Sequence, residues 1–167
     1  MKLNFIESTM DEIIESTLDA IDRRILATLQ GQGRISNLEL AQAVHLSPAQ
    51  VNRRHRRLEA RGLIRCYEAR LDAAQLGLSV LAYVHVTMEA GHIHQLQDFR
   101  QHIAQLDAVQ ECHAVSGDFD YVLKVVASDL KALSELIMGT VMQLPGVKSV
   151  RSTVCLDEVK STSALPL

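Results

Sequence analysis

Two serine-led helix starts, eleven residues apart, constrain the fold of this chain more than any other feature. Ser36 is followed three residues later by Glu39, and Ser47 is followed at the same distance by Gln50. In each pair the hydroxyl can accept a backbone N–H while the longer side chain reaches back, which predicts a capping box. Pro48 stands at the first helical position, where its missing N–H costs nothing. A helix of about two turns, a short connection and a second capped helix predict a helix-turn-helix.

An amphipathic helix precedes this pair. Its apolar residues recur at helical spacing: Leu18, Ile21, Ile25, Leu26 and Leu29. Asp19 and Asp22 fall in its first turn, where the helix dipole favours acids. Gly31 and Gly33 are expected to end it. The three helices together predict a DNA-binding domain over residues 18–64.

The last of these helices carries an excess of arginine. Five arginines lie between Ala49 and Gly62 with Glu59 as the single acid, so pairing within the helix does not neutralise them. Arginine and amide side chains match the edges of guanine and adenine. A solvated charged face is the alternative interpretation. We assign to DNA contact Ser36, Ser47, Ala49, Gln50, Asn52, Arg53, Arg54, Arg56 and Arg57, with Arg54 nearest the buried edge.

Charge is divided unevenly along the chain. The net charge is −3, yet residues 19–70 contain ten arginines and five acidic side chains. Residues 1–18 and 71–167 are both net acidic. A basic segment between acidic ones favours a module that binds a polyanion such as double-stranded DNA.

The sequence also indicates a compartment. It has no continuous apolar stretch long enough to span a membrane and no secretory signal pattern at its start. Cys66, Cys112 and Cys155 are far apart and form no CxxC pair. This cysteine usage predicts reduced thiols in the cytoplasm.

The second half of the chain alternates between strand and helix patterns. Strands are predicted at 78–89, 109–115, 121–127 and 147–156. The first predicted helix carries Leu96, Phe99, Ile103 and Leu106, and the second carries Leu130, Leu133, Ile137, Val141 and Leu144. The order βαββαβ is ferredoxin-like, so the fold class is α+β. One face of such a sheet has no helices, and we expect it to be apolar and to pair with a second subunit.

Catalytic and metal-binding patterns are not found. His92 and His94 lie two residues apart and do not share a helical face, and neither His85 nor His102 completes a metal-ligand spacing. Phosphate-binding loops and common hydrolase motifs are absent from the sequence. We therefore expect no enzyme activity, no cofactor and no metal.

The order of several short motifs resembles the Lrp/AsnC family, the leucine-responsive, asparagine or feast/famine regulators. The matching strings are LDAIDRRIL at 18–26, GRISN at 33–37, LSP at 46–48, Arg54, RLE at 57–59, GLI at 62–64 and GDFDY at 117–121. The resemblance covers about residues 18–162. It implies an N-terminal winged helix-turn-helix, a C-terminal amino-acid-sensing domain, and dimers that assemble to tetramers or octamers on DNA in the nucleoid.

The resemblance further implies where an amino-acid effector binds. The implied residues form a hairpin: Ser116, Gly117, Asp118, Phe119, Asp120 and Tyr121. Free backbone N–H groups in a glycine turn can hold an α-carboxylate, and an unpaired acid such as Asp120 can hold an α-ammonium. The residues alone are equally consistent with a second interpretation, in which Gly117 and Asp118 only form a turn that requires a positive φ.

Two features depart from the family pattern. His55 occupies a position that is usually aliphatic, and it is either a partly buried histidine bonded to a neighbour or a pH-sensitive element. Residues 1–17 are an extension that either packs as an amphipathic helix or frays. The remaining boundaries place a linker at 65–77, the sensor domain at 78–162 and a tail at 163–167.

An effector-responsive, sequence-specific transcriptional regulator is the favoured function. A nucleoid-organising DNA-binding protein without an effector shares every feature except a working hairpin pocket. A regulatory, amino-acid-binding subunit of an enzyme would account for residues 78–162 but not for the arginine-rich helix.

Overall fold

A side-chain cap starts each helix of the N-terminal part of the chain. The computed structural model describes residues 18–89 and 93–167, so the N-terminal extension lies outside the described residues. These divide into two units: residues 18–70 with 160–167, and residues 71–159. Within 18–70 the helices are α1 (Ala20–Gly31), α2 (Asn37–Val44) and α3 (Pro48–Ala60). Asp19 caps α1, and Ser36 and Ser47 cap the other two.

Both predicted capping boxes are present. Ser36 and Glu39 exchange their reciprocal bonds at the start of α2, and Ser47 and Gln50 do the same at α3. His45, between the two helices, takes a left-handed conformation with φ 57°. The helices pack around a core formed by Ile25, Leu26, Leu29, Leu40, Ala41, Val44, Val51 and Leu58. The helix-turn-helix is therefore confirmed, and this packing fixes which face of α3 points outward.

The second unit is built on an antiparallel sheet. Across its described residues the strands are β1 (Val80–Met88), β2 (Val109–Ala114), β3 (Tyr121–Ala127) and β4 (Val147–Val154), in the order β2-β3-β1-β4. Helix α4 (Ile93–Ile103) and helix α5 (Leu130–Gly139) connect them. The βαββαβ order and the α+β class are confirmed.

Buried and partly exposed residues alternate along β1 and β3, and the buried ones lie in the core of this unit. Ala82, Val84 and Val86 of β1 are fully buried, as are Leu123 and Val125 of the neighbouring β3. Because successive strand residues point to opposite faces, the intervening residues line the second, open face of the sheet. Phe99 of α4 is also fully buried in this core.

The predicted second helix of this unit is too long. We expected it to reach Leu144, but α5 ends at Gly139 and a 3-10 turn follows over Val141–Gln143. Val141 is still fully buried. Both kinds of helix return a side chain to the same side after three or four residues, so the apolar spacing did not distinguish them. Residues 65–77, where we placed a linker, contain no strand.

The open face of the sheet is less apolar than we expected. Tyr83 on β1 lies directly opposite Lys124 on β3 and Thr153 on β4. Lys124 in turn forms an ion pair of 2.9 Å with Glu111 on β2. Leu81, Val122 and Val126 add half-buried apolar patches to this face. The expectation of a mainly apolar face was therefore wrong, because charged pairs alternate with the apolar residues.

The C-terminal segment, residues 160–167, belongs to the first unit and contacts its residues 18–70. The Gln30 side-chain amide donates to the carbonyl of Leu165 at 3.1 Å and accepts from the backbone N–H of the same residue. Arg70 donates to the Ser161 hydroxyl at 2.8 Å. Among the described residues, none of the helices has the length and apolar character needed to cross a membrane.

Candidate nucleic-acid interface and ligand hairpin

The outward face of α3 presents two arginines free of internal contacts. Arg53 and Arg56 are both exposed. Within the described parts of the chain, their guanidinium groups have no hydrogen-bonding or ionic partner. Ala49 is exposed at the start of the same helix, and Asn52 is half-buried beside it. Because α3 is capped and packed on its other side, these arginines are held toward solvent on a rigid element.

The capping residues that we assigned to DNA contact already have partners in the chain. The Ser36 hydroxyl donates to the Glu39 carboxylate at 2.7 Å, and the Ser47 hydroxyl donates to the Gln50 side-chain oxygen Oε1 at 3.0 Å. The Ser36 bonds hold the pKa of the Glu39 carboxyl below its usual range. The NH₂ group of Gln50 takes no part in these contacts. Because Gln50 is exposed, this group is accessible from solvent. Ser36 and Ser47 therefore orient the helices, whatever else they touch.

Two of the four arginines on α3 bind acids at the start of α1. Arg54 donates to Asp19 at 2.6 Å and to Asp22 at 2.8 Å, and Arg57 also donates to Asp22. Asp22 is fully buried, whereas Arg54 is about one-fifth exposed and Arg57 is half exposed. Hydrogen bonds to Asp22 and Asp19 raise the pKa of Arg54. Neutralisation of these arginines thus comes from another helix, which counting acids within α3 alone did not detect.

Asp19 has two roles in this arrangement. Its carboxylate accepts from the backbone N–H of Asp22 at 2.7 Å and also binds Arg54. The backbone hydrogen bond, together with the Arg54 guanidinium, lowers the pKa of Asp19. The two acids in the first turn of α1 were visible in the sequence, but their spacing alone does not say that arginines 32 and 35 residues away bind Asp22.

His55 lies on the inner side of α3, within a polar cluster. Its Nδ1 lies 3.3 Å from Asn37 Oδ1, and its Nε2 contacts the Tyr67 hydroxyl. The Tyr67 hydroxyl donates to Glu59 at 3.2 Å. The side chain of His55 is 18% exposed. His55 is therefore partly buried and bonded to its neighbours, as expected, and these contacts leave its response to pH as a separate question.

The hairpin between β2 and β3 exposes a row of backbone donors. Gly117 has φ 134°, in the region that favours glycine. In the described residues, the N–H groups of 116–119 have no hydrogen-bond acceptor. Ser116, Gly117 and Asp118 are exposed, and Tyr121 is buried at the start of β3. Successive free N–H groups of this kind can bind an anion such as a carboxylate.

Asp120 is not the unpaired acid that we expected. Its Oδ2 accepts from the Met88 N–H at 2.7 Å, and its own N–H donates to the Val86 carbonyl at 2.9 Å. The residue is nevertheless exposed, and Met88 lies where the β1–β4 register shifts. On the opposite edge of β1, the pairing with β3 ends at Val86 and Tyr121, and Asp120 satisfies the Met88 N–H just beyond that end. Among the residues that the structure describes, no donor contacts the second oxygen, Oδ1.

A stacked arrangement beside the hairpin was not foreseen. The ring of Phe119 stacks on His85 of β1, with centroids 4.7 Å apart and planes at 15°. The guanidinium of Arg151 on β4 lies 5.9 Å from the Phe119 centroid. His85 and Arg151 are directly opposite each other in the sheet, so both lie on the open face. This stack holds the tip of the hairpin against that face.

The described residues also bear on the metal and thiol sites considered in the sequence. Among them, histidine, cysteine and acidic side chains form no group of three that could hold a metal ion. Burial raises the pKa of the Cys112 thiol, which disfavours a reactive thiolate. Cys112 and His113 are neighbours on β2 and point to opposite faces.

Both units match known protein families. A family model described as a winged helix-turn-helix DNA-binding domain matches residues 18–65, and the Lrp/AsnC ligand binding domain matches residues 81–165. The leucine-responsive regulatory proteins of Klebsiella pneumoniae and Escherichia coli K12 are each 44% identical to this chain over 148 residues. The match covers 89% of this chain and 90% of each relative.

Solved structures of transcriptional regulators match nearly the whole chain. A transcriptional regulator of Neisseria meningitidis, in complex with L-methionine, is 34% identical, with a TM-score of 0.87 over 90% of this chain and 97% of its own. A feast or famine regulatory protein of M. tuberculosis, complexed with L-methionine, is 32% identical with a TM-score of 0.82, over 89% of this chain and 99% of its own.

Proposed function

The chain belongs to the Lrp/AsnC family of DNA-binding transcriptional regulators, which are not enzymes, and we propose that an amino-acid effector controls its binding to a specific DNA sequence. In this proposal α3 enters the major groove, and Arg53 and Arg56 contact DNA there. The observation that carries it is a pair of exposed arginines, with no partner among the described residues, on a helix that is capped by Ser47 and packed through Val51 and Leu58. We place this activity in the cytoplasm, at the nucleoid, as expected for a transcriptional regulator.

The arginines of α3 have different roles in this proposal. Arg53 and Arg56 supply the groups that reach base edges or phosphates. Arg54 fixes the helix through Asp19 and Asp22, and Arg57 combines a bond to Asp22 with a half-exposed position from which it can also meet the phosphate backbone. Gln50 and Ala49 lie at the N-terminal end of α3, the end that contacts base edges in helix-turn-helix proteins.

The effector is proposed to bind at the hairpin over residues 116–121. The free N–H groups of 116–119 suit the α-carboxylate of an amino acid, and the open Oδ1 of Asp120 suits its α-ammonium. Two of the similar structures are complexes with L-methionine, which supports an amino acid as the ligand class. The open face of the sheet, with its apolar patches and charged pairs, is proposed to pair with a second copy, and dimers to assemble further.

A DNA-organising protein without an effector is the second candidate. The bond from Met88 N–H to Asp120 Oδ2 favours it, because it gives that acid a structural role that needs no ligand. A gel shift on a duplex from the chain's own upstream region, with and without each of the twenty amino acids, separates the two. One amino acid should shift DNA affinity under the main proposal, and none should under the second.

A further inference from the structure

His55 connects three segments of the N-terminal unit. It lies on α3, contacts Asn37 at the start of α2 and contacts Tyr67 in the segment that follows α3. The His55 and Tyr67 rings meet edge to face, with centroids 6.2 Å apart and planes at 82°. Glu59, one turn further along α3, lies 3.6 Å from His55 Nε2 and accepts from the Tyr67 hydroxyl. The cluster therefore connects α3 to the start of α2 and to the segment that follows α3.

Counting protons identifies the arrangement that satisfies all three of these contacts at once. The Tyr67 hydroxyl has a single proton, which it donates to Glu59. Its oxygen can then only accept from His55, so Nε2 must carry a proton. The Asn37 Oδ1 atom is also an acceptor, so Nδ1 must carry a proton as well. All three bonds are satisfied together only when the His55 ring is doubly protonated and positively charged.

A neutral ring would have to give up part of this arrangement. With one N–H, His55 loses either the bond to Asn37 or the bond to Tyr67, unless the Asn37 amide turns over or the Tyr67 proton leaves Glu59. The Tyr67 proton itself does not titrate in the physiological range, because burial and the Glu59 charge raise the pKa of Tyr67 to about 12. The titratable groups that face the ring among the described residues are Glu59, on its own helix, and Tyr67 from the following segment.

We propose that protonated His55 is a positioning residue that holds α3 in its DNA-binding orientation, so that this chain binds DNA more tightly as pH falls. The inference rests on the DNA-binding function and adds proton control to it. The sign follows from linkage: the arrangement in which His55 carries both protons is favoured at low pH, and its contribution is lost as the ring becomes neutral. Imidazole groups generally change charge between about pH 5 and 8.

The test measures the affinity of the full chain for a fluorescent duplex from its own upstream region, at pH 6 and pH 8 and constant ionic strength. We expect the ratio of the two affinities to be about three- to tenfold larger in the parent than in His55→Leu, as for one linked proton. Leucine is apolar and cannot be protonated, so it suits a partly buried position on this helix. His102→Gln is the matched control, because His102 is exposed and bonds the Asp98 carbonyl of its own helix.

The Tyr67→Phe variant distinguishes a positioning role of His55 from a direct attraction between its charge and the DNA phosphates. This variant keeps the charge of His55 but removes the oxygen that accepts from Nε2. It should lose the pH response as His55→Leu does, whereas a plain attraction between His55 and phosphate would survive in it. The proposal is overturned if His55→Leu keeps the parent's ratio, or if Tyr67→Phe does.

A second measurement does not depend on DNA. Nitrogen-15 NMR of the histidine rings, with His55→Leu to assign the signal, should show both His55 nitrogens protonated in the parent at pH 6. A neutral His55 ring at that pH would overturn the proposal. A parent that bound no duplex at either pH would instead refute the DNA-binding function, and the NMR signal would still decide the state of His55.

Discussion

Asp22 is completely buried in α1 and accepts a hydrogen bond of 2.8 Å from Arg54 on α3. A buried carboxylate is tolerated only when it is paired and hydrogen-bonded. Arg57 supplies a second bond to it, so both of its oxygens are occupied. The pair therefore joins the first helix of the domain to the proposed recognition helix, and it separates the arginines of α3 into an inner set and an outer set.

Arg54→Met should destabilise the N-terminal unit by about 3 kcal/mol, because it leaves Asp22 buried with one half-exposed partner. Methionine preserves much of the side-chain volume, so the loss reports the ion pair rather than a cavity. Arg53→Met is the matched control on the exposed face, and it should change stability by less than about 0.5 kcal/mol. Urea unfolding of both variants measures this difference, and equal stabilities would show that Asp22 does not depend on Arg54.

The pH dependence of stability should include a contribution from Asp19, whose pKa is lowered by the Asp22 N–H and by Arg54. A carboxyl with a lowered folded-state pKa stabilises the fold above its unfolded-state value, near 3.8, and the contribution disappears as pH falls through the lower folded-state value. Asp19→Asn keeps an oxygen for the Asp22 N–H but removes the charge. Unfolding measured from pH 6 to pH 2.5 should show parent and variant converging at the acid end. A constant difference across this range would contradict the role of the charge.

The helix-turn-helix could be predicted because its signals are local. Each capping box lies within four residues, and the apolar spacing of α1 and α3 repeats within single helices. The pairing of Asp22 with Arg54 joins residues 32 positions apart, and no local pattern encodes it. The same limit applies to Asp120, because its bond to the Met88 N–H forms only once β1 and β3 pair and their pairing ends at Val86 and Tyr121.

The open face of the sheet was misjudged for a related reason. Alternation in β1 showed that Tyr83 and His85 share a face, but the residues opposite them come from β3 and β4. Lys124, which lies opposite Tyr83, meets Glu111 of β2 only in the assembled sheet. The hairpin could be located from its glycine and acids, whereas the stack of Phe119 on His85 depends on the tertiary fold.

Arg53→Ala and Arg56→Ala should each weaken binding to the specific DNA site by roughly 1–3 kcal/mol if the side chain contacts a base. The variant should then also lose preference at one position of the site. A phosphate contact would instead weaken binding to all sequences alike and reduce the salt dependence. Anisotropy titrations at several salt concentrations distinguish these outcomes. Unchanged affinity in the folded Arg53/Arg56 double alanine variant would remove α3 from the interface.

Tyr83→Asp should convert the full chain from a dimer to a monomer. Tyr83 is 39% exposed at the centre of the open face, between Lys124 and Thr153. A new charge there would be buried without a partner when two such faces meet, which strongly disfavours association. Light scattering at micromolar concentration measures the mass, with Gln101→Asp on the exposed side of α4 as the control. A folded parent that is already monomeric would contradict the pairing of these faces.

Asp120→Asn should remove the response to an amino acid while leaving the fold intact. Asparagine keeps an oxygen that can accept from the Met88 N–H but no longer offers a negative charge to an α-ammonium. Asp120→Ala loses both, so its stability should fall as well. Gly117→Val should disturb the turn, because φ 134° disfavours a β-branched residue.

The parent should show a coupling of about 1–3 kcal/mol between effector and DNA, a change of roughly 5- to 150-fold in affinity. Calorimetry with the twenty amino acids identifies the ligand, and DNA titrations of the parent and Asp120→Asn measure the coupling. A ligand that binds both proteins equally would place the pocket elsewhere in the sensor unit, and the absence of heat with any amino acid would favour the DNA-organising function.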